Sequence, residues 1–200
     1  MIAVIDYDGG NTKSILNVLD RCEVDYIVTN DENKITSCSK LILPGVSNFS
    51  FCIENLKKKR LDKLIQNQTL IKKKPFLGIC SGMQILGSFS EEGNVEGLNI
   101  IPGKIKKIPI DSAKIVPHVG WNKVTFKDSI LTKGVKNNSR FYFCHSYFYE
   151  PENPKHCLMK TYYGTEFCTG VSYENIFGIQ FHPEKSLSEG MQIIKNFSKY

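Results

Sequence analysis

The sequence predicts an α/β fold: a mostly parallel sheet with helices on both faces and an antiparallel extension in the C-terminal half. Three observations carry this. Short runs that are apolar throughout (Met1–Ile5, Tyr26–Val28, Leu41–Leu43, Phe76–Ile79) alternate with segments of helical period, as strands buried on both faces require. From Gly97 onward the texture changes to period-two alternation, the mark of antiparallel strands with one wetter face. A last apolar run, Ile176–Phe181, leads into a terminal amphipathic helix.

In chain order, the first strand ends in Asp6-Tyr7-Asp8-Gly9-Gly10-Asn11, and a helix follows with Ile15, Leu19 and Cys22 on one face. This opening lacks Gly-x-Gly-x-x-Gly, so a dinucleotide site is disfavoured. The third strand ends in Pro44-Gly45-Val46-Ser47-Asn48, and Asn48 or Ser47 is the expected cap of a helix over Phe49–Leu56. Ligands of such sheets bind beyond the carboxyl ends of the strands, which puts Asp6, Pro44-Gly45 and Cys80 on one rim. Alternating strands are expected over Ile100–Ile108, Asn122–Phe126, Phe141–Tyr149, Leu158–Tyr163 and Cys168–Tyr173, with a loop at Pro117–Asn122. The terminal helix is expected to start at a Ser188 cap and to present Met191, Ile194 and Phe197 to the core.

The fourth strand carries the chemistry. Phe76-Leu77-Gly78-Ile79-Cys80-Ser81-Gly82-Met83-Gln84 has the layout of a nucleophile elbow with cysteine as the nucleophile, followed by a helical Met-Gln-Ile-Leu segment. Glycines at 78 and 82 let strand and helix pass close to a strained turn. A helix N-terminus beside the sulfur favours thiolate, and its free N–H groups from Ser81 onward can stabilise an oxyanion. Taken alone, the same pattern also fits a buried small side chain in a tight turn. His182-Pro183-Glu184, where the last strand leaves the sheet, decides between these. Pro183 keeps His182 extended, so residues i and i+2 project together and a carboxylate can orient an imidazole. Thiol, imidazole and carboxylate form the nucleophile–base–orienter set of covalent acyl transfer. His118 and His145 are expected to line this site or a docking face, and His156 to be exposed.

Composition excludes other classes. The chain has 200 residues, 41% of them hydrophobic and 23% charged, which suits an ordinary globular domain. No apolar run reaches membrane-spanning length and no secretion leader precedes the first strand, so the expected location is cytoplasmic. The net charge of +6 is concentrated in Lys57-Lys58-Lys59-Arg60 and Lys72-Lys73-Lys74. No aromatic residues interleave with these runs, so they read as a solvated face and not as a nucleic-acid site. The seven cysteines are dispersed without a Cys-x-x-Cys pair, and no two histidines have ligand spacing, so neither metal nor cofactor is expected.

Further blocks accompany the elbow and the His-Pro-Glu exit: Asp6-Tyr7 with Gly10-Asn11, Leu43-Pro44-Gly45-Val46, Ser90-Glu91-Glu92-Gly93, Pro117-His118-Val119-Gly120-Trp121-Asn122, His145-Ser146-Tyr147 and Gly178-Ile179-Gln180-Phe181-His182-Pro183-Glu184-Lys185-Ser186. Together they resemble, over essentially the whole chain, the class I (triad) glutamine amidotransferase family. Within it they are similar to the glutaminase subunits of imidazole glycerol phosphate synthases. The resemblance implies a flavodoxin-like sheet and one glutaminase domain over residues 1–200. It implies Cys80, His182 and Glu184 as the triad acting on L-glutamine. Gly45, Gln84, Glu92, His145, Ser146 and Tyr147 would hold the glutamine, and Val46, Ser47 and Ser81 would form the oxyanion site. Asn11, His118, Trp121, Asn122, Tyr142 and Lys185 would face a (β/α)8-barrel cyclase subunit that receives the ammonia in histidine biosynthesis. A paralogous role, feeding a sugar amidotransferase of surface-glycan synthesis, and a silent partner-binding role are the alternatives. The chain departs from the family pattern at Asp8 and Ser47, where glycine is usual, and at Ser81, where leucine is usual. A Cβ at Ser47 limits backbone rotation beside the nucleophile.

Overall fold

The computed structural model describes residues 1–10, 12–109 and 115–200, so Asn11 lies outside the described residues. The first half is built as the apolar runs require. Strands β1 (Ile2–Ile5), β2 (Tyr26–Thr29), β3 (Lys40–Gly45) and β4 (Phe76–Cys80) are mutually parallel in the order β2-β1-β3-β4. Alternate residues of one strand serve opposite cores. Ala3 and Ile5 pack with Leu41 and Leu43 on one face, while Ile2 and Val4 pack with Ile42 and Leu77 on the other. Helix α3 (Phe49–Lys58) covers the first face through Phe49, Cys52, Ile53 and Leu56, and α4 (Leu61–Gln66) adds Leu61 and Ile65. Helix α1 (Thr12–Arg21) and a C-terminal helix bury Ile15, Val18 and Leu19 with Ile193, Ile194 and Phe197 against the second face.

Beyond β4 the sheet turns antiparallel. Strand β14 (Ile176–Ile179) returns parallel to β4, with Gly178 opposite Gly78 and Ile179 opposite Ile79. Outside it come β13 (Thr165–Tyr173), β11 (Tyr147–Pro151), β7 (Gly103–Lys107), β5 (Phe89–Ser90) and β6 (Val95–Glu96). Strand β12 (Cys157–Tyr163) pairs with both β13 and the short β9 (Thr125–Phe126). Strands β8 (His118–Lys123) and β10 (Arg140–His145) form a separate antiparallel ribbon.

Five local expectations are corrected. The segment Phe141–Tyr149 is not one strand: β10 ends at His145, Ser146 breaks the pairing, and β11 starts in the main sheet at Tyr147. Alternation continues through both strands, so periodicity alone cannot show the change of sheet. Pro117–Asn122 is largely strand β8, paired residue by residue with β10, and not a loop. The segment after Cys80 is a single turn, α5 (Ser81–Gln84), which closes when Gly87 N–H reaches back to the Gln84 carbonyl. Helix α6 (Leu187–Lys199) has its cap at Ser186, two residues earlier than the expected Ser188, and Ser188 lies inside it. A short helix, α2 (Glu32–Ser37), was not expected; the Asp31 carboxylate caps it by accepting from Lys34 N at 2.9 Å.

The rim that the strand order creates is as expected. In the β3–β4 register Gly45 lies opposite Cys80, and the Val46 N–H donates to the Gly9 carbonyl at 3.0 Å. The first loop thus supports the segment beside the elbow. Asp8, at a place where the resemblance implies that glycine is usual, sits at φ 65° and ion-pairs with Lys59 at 2.9 Å. A short polar side chain tolerates this left-handed conformation, which explains the substitution.

Candidate active site

Cys80 is held at φ 56° and ψ −114°, a conformation that a non-glycine residue adopts only when its surroundings force it. Three glycines do so. A Cβ on Gly78 would collide with the Gly82 carbonyl, and one on Gly82 with the Leu43 carbonyl. A Cβ on Gly45 would stand 2.5 Å from the Gly82 nitrogen. Strand β3, strand β4 and the α5 turn therefore meet backbone to backbone. The expected helix N-terminus is there, but α5 is one turn long and brings little dipole with it. What remains beside the sulfur is the local set of N–H groups at the start of the turn.

His182 reaches the sulfur from the next strand. Its backbone N–H donates to the Tyr142 carbonyl at 2.9 Å, and its carbonyl accepts from Ser186 Oγ at 2.6 Å. The same Ser186 Oγ accepts from Tyr142 N at 3.0 Å, so one buried hydroxyl pins the strand exit to β10. Nδ1 of His182 lies 2.8 Å from Glu184 Oε1, with both side chains almost fully buried. Cys80 lies close enough to the ring to act on it electrostatically, and both residues line the same cavity. Burial pushes the His182 pKa down, but the hydrogen bonds and charges of Cys80 and Glu184 outweigh it and raise it to about 10. The imidazole is thus held in its protonated form between two anion-forming groups.

These residues open on a cavity of about 310 Å³, within the size range of small-ligand sites. Of the residues expected at the site, Val46, Ser47, Cys80, Ser81, Gln84, Glu92, His145, Ser146, Tyr147, His182 and Lys185 line it. Gly45 is not among the lining residues; its place is in the backbone contact with Gly82, which leaves no room for a side chain or a ligand. Glu92 holds the start of α3, its Oε2 accepting from Phe49 N at 2.8 Å. His145 is buried, which lowers its pKa to about 3 despite the Tyr147 carbonyl at 2.7 Å. It forms part of the wall as a neutral ring.

The expected docking residues divide. Trp121, Tyr142 and Lys185 form one surface cluster at the cavity mouth, with Trp121 and Tyr142 edge to face at 6.1 Å and the Lys185 ammonium 5.4 Å from the Tyr142 ring centroid. His118 is not on that surface. Alternation along β8 turns it inward to 2% exposure, stacked on Phe143 at 4.7 Å and Tyr163 at 4.0 Å. Asn122 follows the same inward alternation and donates to the Tyr162 carbonyl at 2.9 Å. His156, expected to be exposed, is half-buried against Tyr173. Two residues at the site were given no site role from sequence. Cys144 is exposed and lines the cavity mouth. Gln180 is fully buried with Nε2 3.7 Å from Cys80 Sγ. A glutamine in an otherwise apolar strand end, two residues before His182, is the signal that marks it.

The model of the class-I glutamine amidotransferases matches residues 3–199. The chain belongs to that family. Among its relatives, the amidotransferase is 44% identical over 200 residues to imidazole glycerol phosphate synthase subunit HisH 2 of Methanococcus maripaludis, covering 100% of this chain and 99% of the relative. It is 44% identical over 202 residues to subunit HisH of Methanocaldococcus jannaschii, covering 98% of each. A solved glutamine amidotransferase structure superposes with TM-score 0.78 at 12% identity over 100% of this chain and 98% of that one, which supports the fold alone. No helix among the described residues of the amidotransferase is long and apolar enough to cross a membrane.

Proposed function

We propose that this chain is the glutaminase subunit of an imidazole glycerol phosphate synthase, a single amidotransferase domain over residues 1–200 that releases ammonia from L-glutamine for histidine biosynthesis. The observation that carries the chemistry is that Cys80 and His182 line one cavity while Glu184 Oε1 holds His182 Nδ1 at 2.8 Å. Full-length identity of 44% to HisH subunits supports the pathway.

In this reading Cys80 Sγ attacks the side-chain amide carbon of glutamine. His182 carries the proton given up by the thiol and delivers it to the nitrogen as the C–N bond breaks, so ammonia leaves neutral and a γ-glutamyl thioester remains. Water then adds to the thioester with His182 as base, giving glutamate and the restored thiol. Glu184 keeps the ring in one tautomer and stabilises its charge. The Ser81 and Gly82 N–H groups and the Val46–Ser47 segment lie where charge develops on the amide oxygen. Gln84 Oε1, Glu92 and the Ser146–Tyr147 corner frame the amino-acid end of the substrate.

Ammonia supplies the reason for a partner. In bulk water near neutral pH it protonates and ceases to be a nucleophile, so a docked subunit that excludes water preserves it. The Trp121–Tyr142–Lys185 cluster beside the cavity mouth is the surface proposed for a (β/α)8-barrel cyclase, which makes the assembly a heterodimer. Reconstitution tests both halves. Glutamine hydrolysis is expected to be slow alone and to rise sharply with the histidine-pathway cyclase and its ligand. Success only with a sugar amidotransferase would replace the pathway, and equal turnover alone and in complex would remove the coupling.

A further inference from the structure

Gln180 sits beside the nucleophile because of sheet register. Strands β14 and β4 run parallel with Ile179 opposite Ile79, so continuing by one residue places Gln180 next to Cys80. On its other edge Gln180 is held to β13, its N–H donating to the Thr169 carbonyl at 2.9 Å. The side chain is fully buried and points its Nε2 at Cys80 Sγ, 3.7 Å away.

The orientation of that amide follows from a chain of hydrogen bonds whose polarity a single backbone carbonyl decides. The Tyr147 carbonyl can only accept. Gln84 lies 3.0 Å from it and must therefore present Nε2, which also donates to Gln180 Oε1 at 2.9 Å. With Oε1 of Gln180 engaged, its Nε2 is left facing the sulfur. On the other side, His145 Nδ1 is 2.7 Å from the same carbonyl and must carry the proton, which makes its Nε2 an acceptor. His118 Nδ1, 3.0 Å away, is then the donor, and His118 Nε2 accepts from Asn122 Nδ2 at 3.3 Å. Asn122 reaches the same answer from its own end. Its Nδ2 donates to the Tyr162 carbonyl, so that atom is a nitrogen and His118 Nε2 must be the acceptor. Two carbonyls at opposite ends of the chain thus dictate one set of tautomers and amide orientations.

We infer that Gln180 is a fourth catalytic residue, donating an N–H to the Cys80 thiolate, and that Gln84, itself oriented by the Tyr147 carbonyl, is the positioning residue that keeps this donor turned toward the sulfur. A donor on a buried thiolate favours the charged form over the thiol. It also fixes the sulfur on the His182 side of the elbow, where the substrate carbon must arrive. The inference deepens the nucleophile assignment above and rests on it.

The test reads the Cys80 thiolate directly and needs neither glutamine nor a partner. The rate of Cys80 carbamidomethylation by iodoacetamide is followed against pH by mass spectrometry of the Cys80 peptide. Gln180→Leu, which removes the donor at similar volume, is expected to raise the midpoint of the profile by about one unit, the size of one hydrogen bond to a charged group. Gln180→Met separates donation from packing, because it keeps the length and volume of the side chain and adds no charge but has no N–H. Its midpoint is expected to rise as far as that of Gln180→Leu. If Gln180 acts only through packing, Gln180→Met would keep the wild-type midpoint, and that result, or an unmoved midpoint in folded Gln180→Leu, overturns the inference. Should both variants fail to fold, the wild-type chain still decides. The Gln180 side-chain amide signals in a proton–nitrogen spectrum must shift when Cys80 is alkylated, and unmoved signals overturn the inference. If Cys80 reacts no faster than the exposed Cys144, the nucleophile assignment falls and this inference with it. Fast Cys80 with unmoved Gln180 variants leaves the nucleophile standing and removes only the donor.

Discussion

Ser81 Oγ donates a hydrogen bond to the Ser47 carbonyl at 2.6 Å, joining the two residues that flank the nucleophile and depart from the family pattern. Ser81 is the first residue of the α5 turn, and Ser47 lies in the segment that leaves β3. The bond fastens that segment to the elbow while the Val46 N–H is engaged by Gly9, away from the cavity. The two substitutions are therefore one structural change, a clamp on the Val46–Ser47 backbone. Ser81→Ala should cost about 1 kcal/mol of stability, the usual net worth of such a bond. It should also free the segment to turn an N–H toward the substrate oxygen, so glutamine hydrolysis by the isolated chain rises severalfold. Denaturant midpoints and a glutamate assay measure both. An unchanged hydrolysis rate would mean that the clamp does not limit the resting site.

His182 and Glu184 make a pH prediction with a definite sign. Burial lowers the His182 pKa, but Cys80 and Glu184 raise it to about 10. A group raised on folding stabilises fully below its unfolded value of about 6.5, and that stability fades as pH rises through the folded value. The native chain should therefore lose stability on the alkaline side, up to a pH of about 10. Glu184→Gln removes one of the two raising partners, so the loss is smaller and is complete at lower pH. Urea midpoints across about pH 6 to 11 test the shift, with no displacement counting against the ion pair. The same variant should lower kcat for glutamine by about 100-fold or more, because the ring loses its orienting carboxylate.

Gly45 gives a stability prediction of a different origin. Its missing Cβ is what allows the Gly82 nitrogen to approach, the added carbon standing only 2.5 Å away. The neighbouring atoms are backbone and cannot swing aside as a side-chain tip would. Gly45→Ala should destabilise the chain by about 1–3 kcal/mol and displace the elbow. The expected readouts are a lower melting temperature and slower Cys80 alkylation together. A drop in activity at unchanged melting temperature would instead favour a direct contact between Gly45 and glutamine.

How much of this could be read from the chain depends on the distance over which each feature is decided. Gly78-Ile79-Cys80-Ser81-Gly82 and His182-Pro183-Glu184 are local patterns, and local sterics alone make them a turn and an extended exit. The parallel half was legible because Ala3, Val4, Leu41 and Ile42 leave no polar face. The change of sheet at Ser146 was not, since Phe141 to Tyr149 keeps one alternation while its partner changes from β8 to β7 and β13. His118 was misplaced for the same reason. Which face of β8 is inside depends on Phe143 and Tyr163, each more than twenty residues away. Gln180 needed the β14–β4 register, a long-range fact that no window along the chain contains.

The surface at the cavity mouth supports a prediction about assembly. Trp121 is 38% exposed, braced edge-on by Tyr142, and Lys185 holds its ammonium over the Tyr142 ring while its side chain also lines the cavity. Val119, two residues before Trp121 on the same outward face of β8, is 54% exposed. A tryptophan braced in this way loses little side-chain freedom on docking, which is why such residues dominate interface energies. Trp121→Ala should weaken binding of the cyclase barrel by about 30-fold, the equivalent of 2 kcal/mol. Its melting temperature should change little, since the ring is half in solvent. Ile71, 70% exposed ahead of β4 and so at the opposite end of that strand from Cys80, is the control. Ile71→Ala should leave the affinity unchanged. Calorimetric titration of the barrel into each variant checks the pair. Equal affinities for Trp121→Ala and the parent chain would move the docking surface away from β8 and β10.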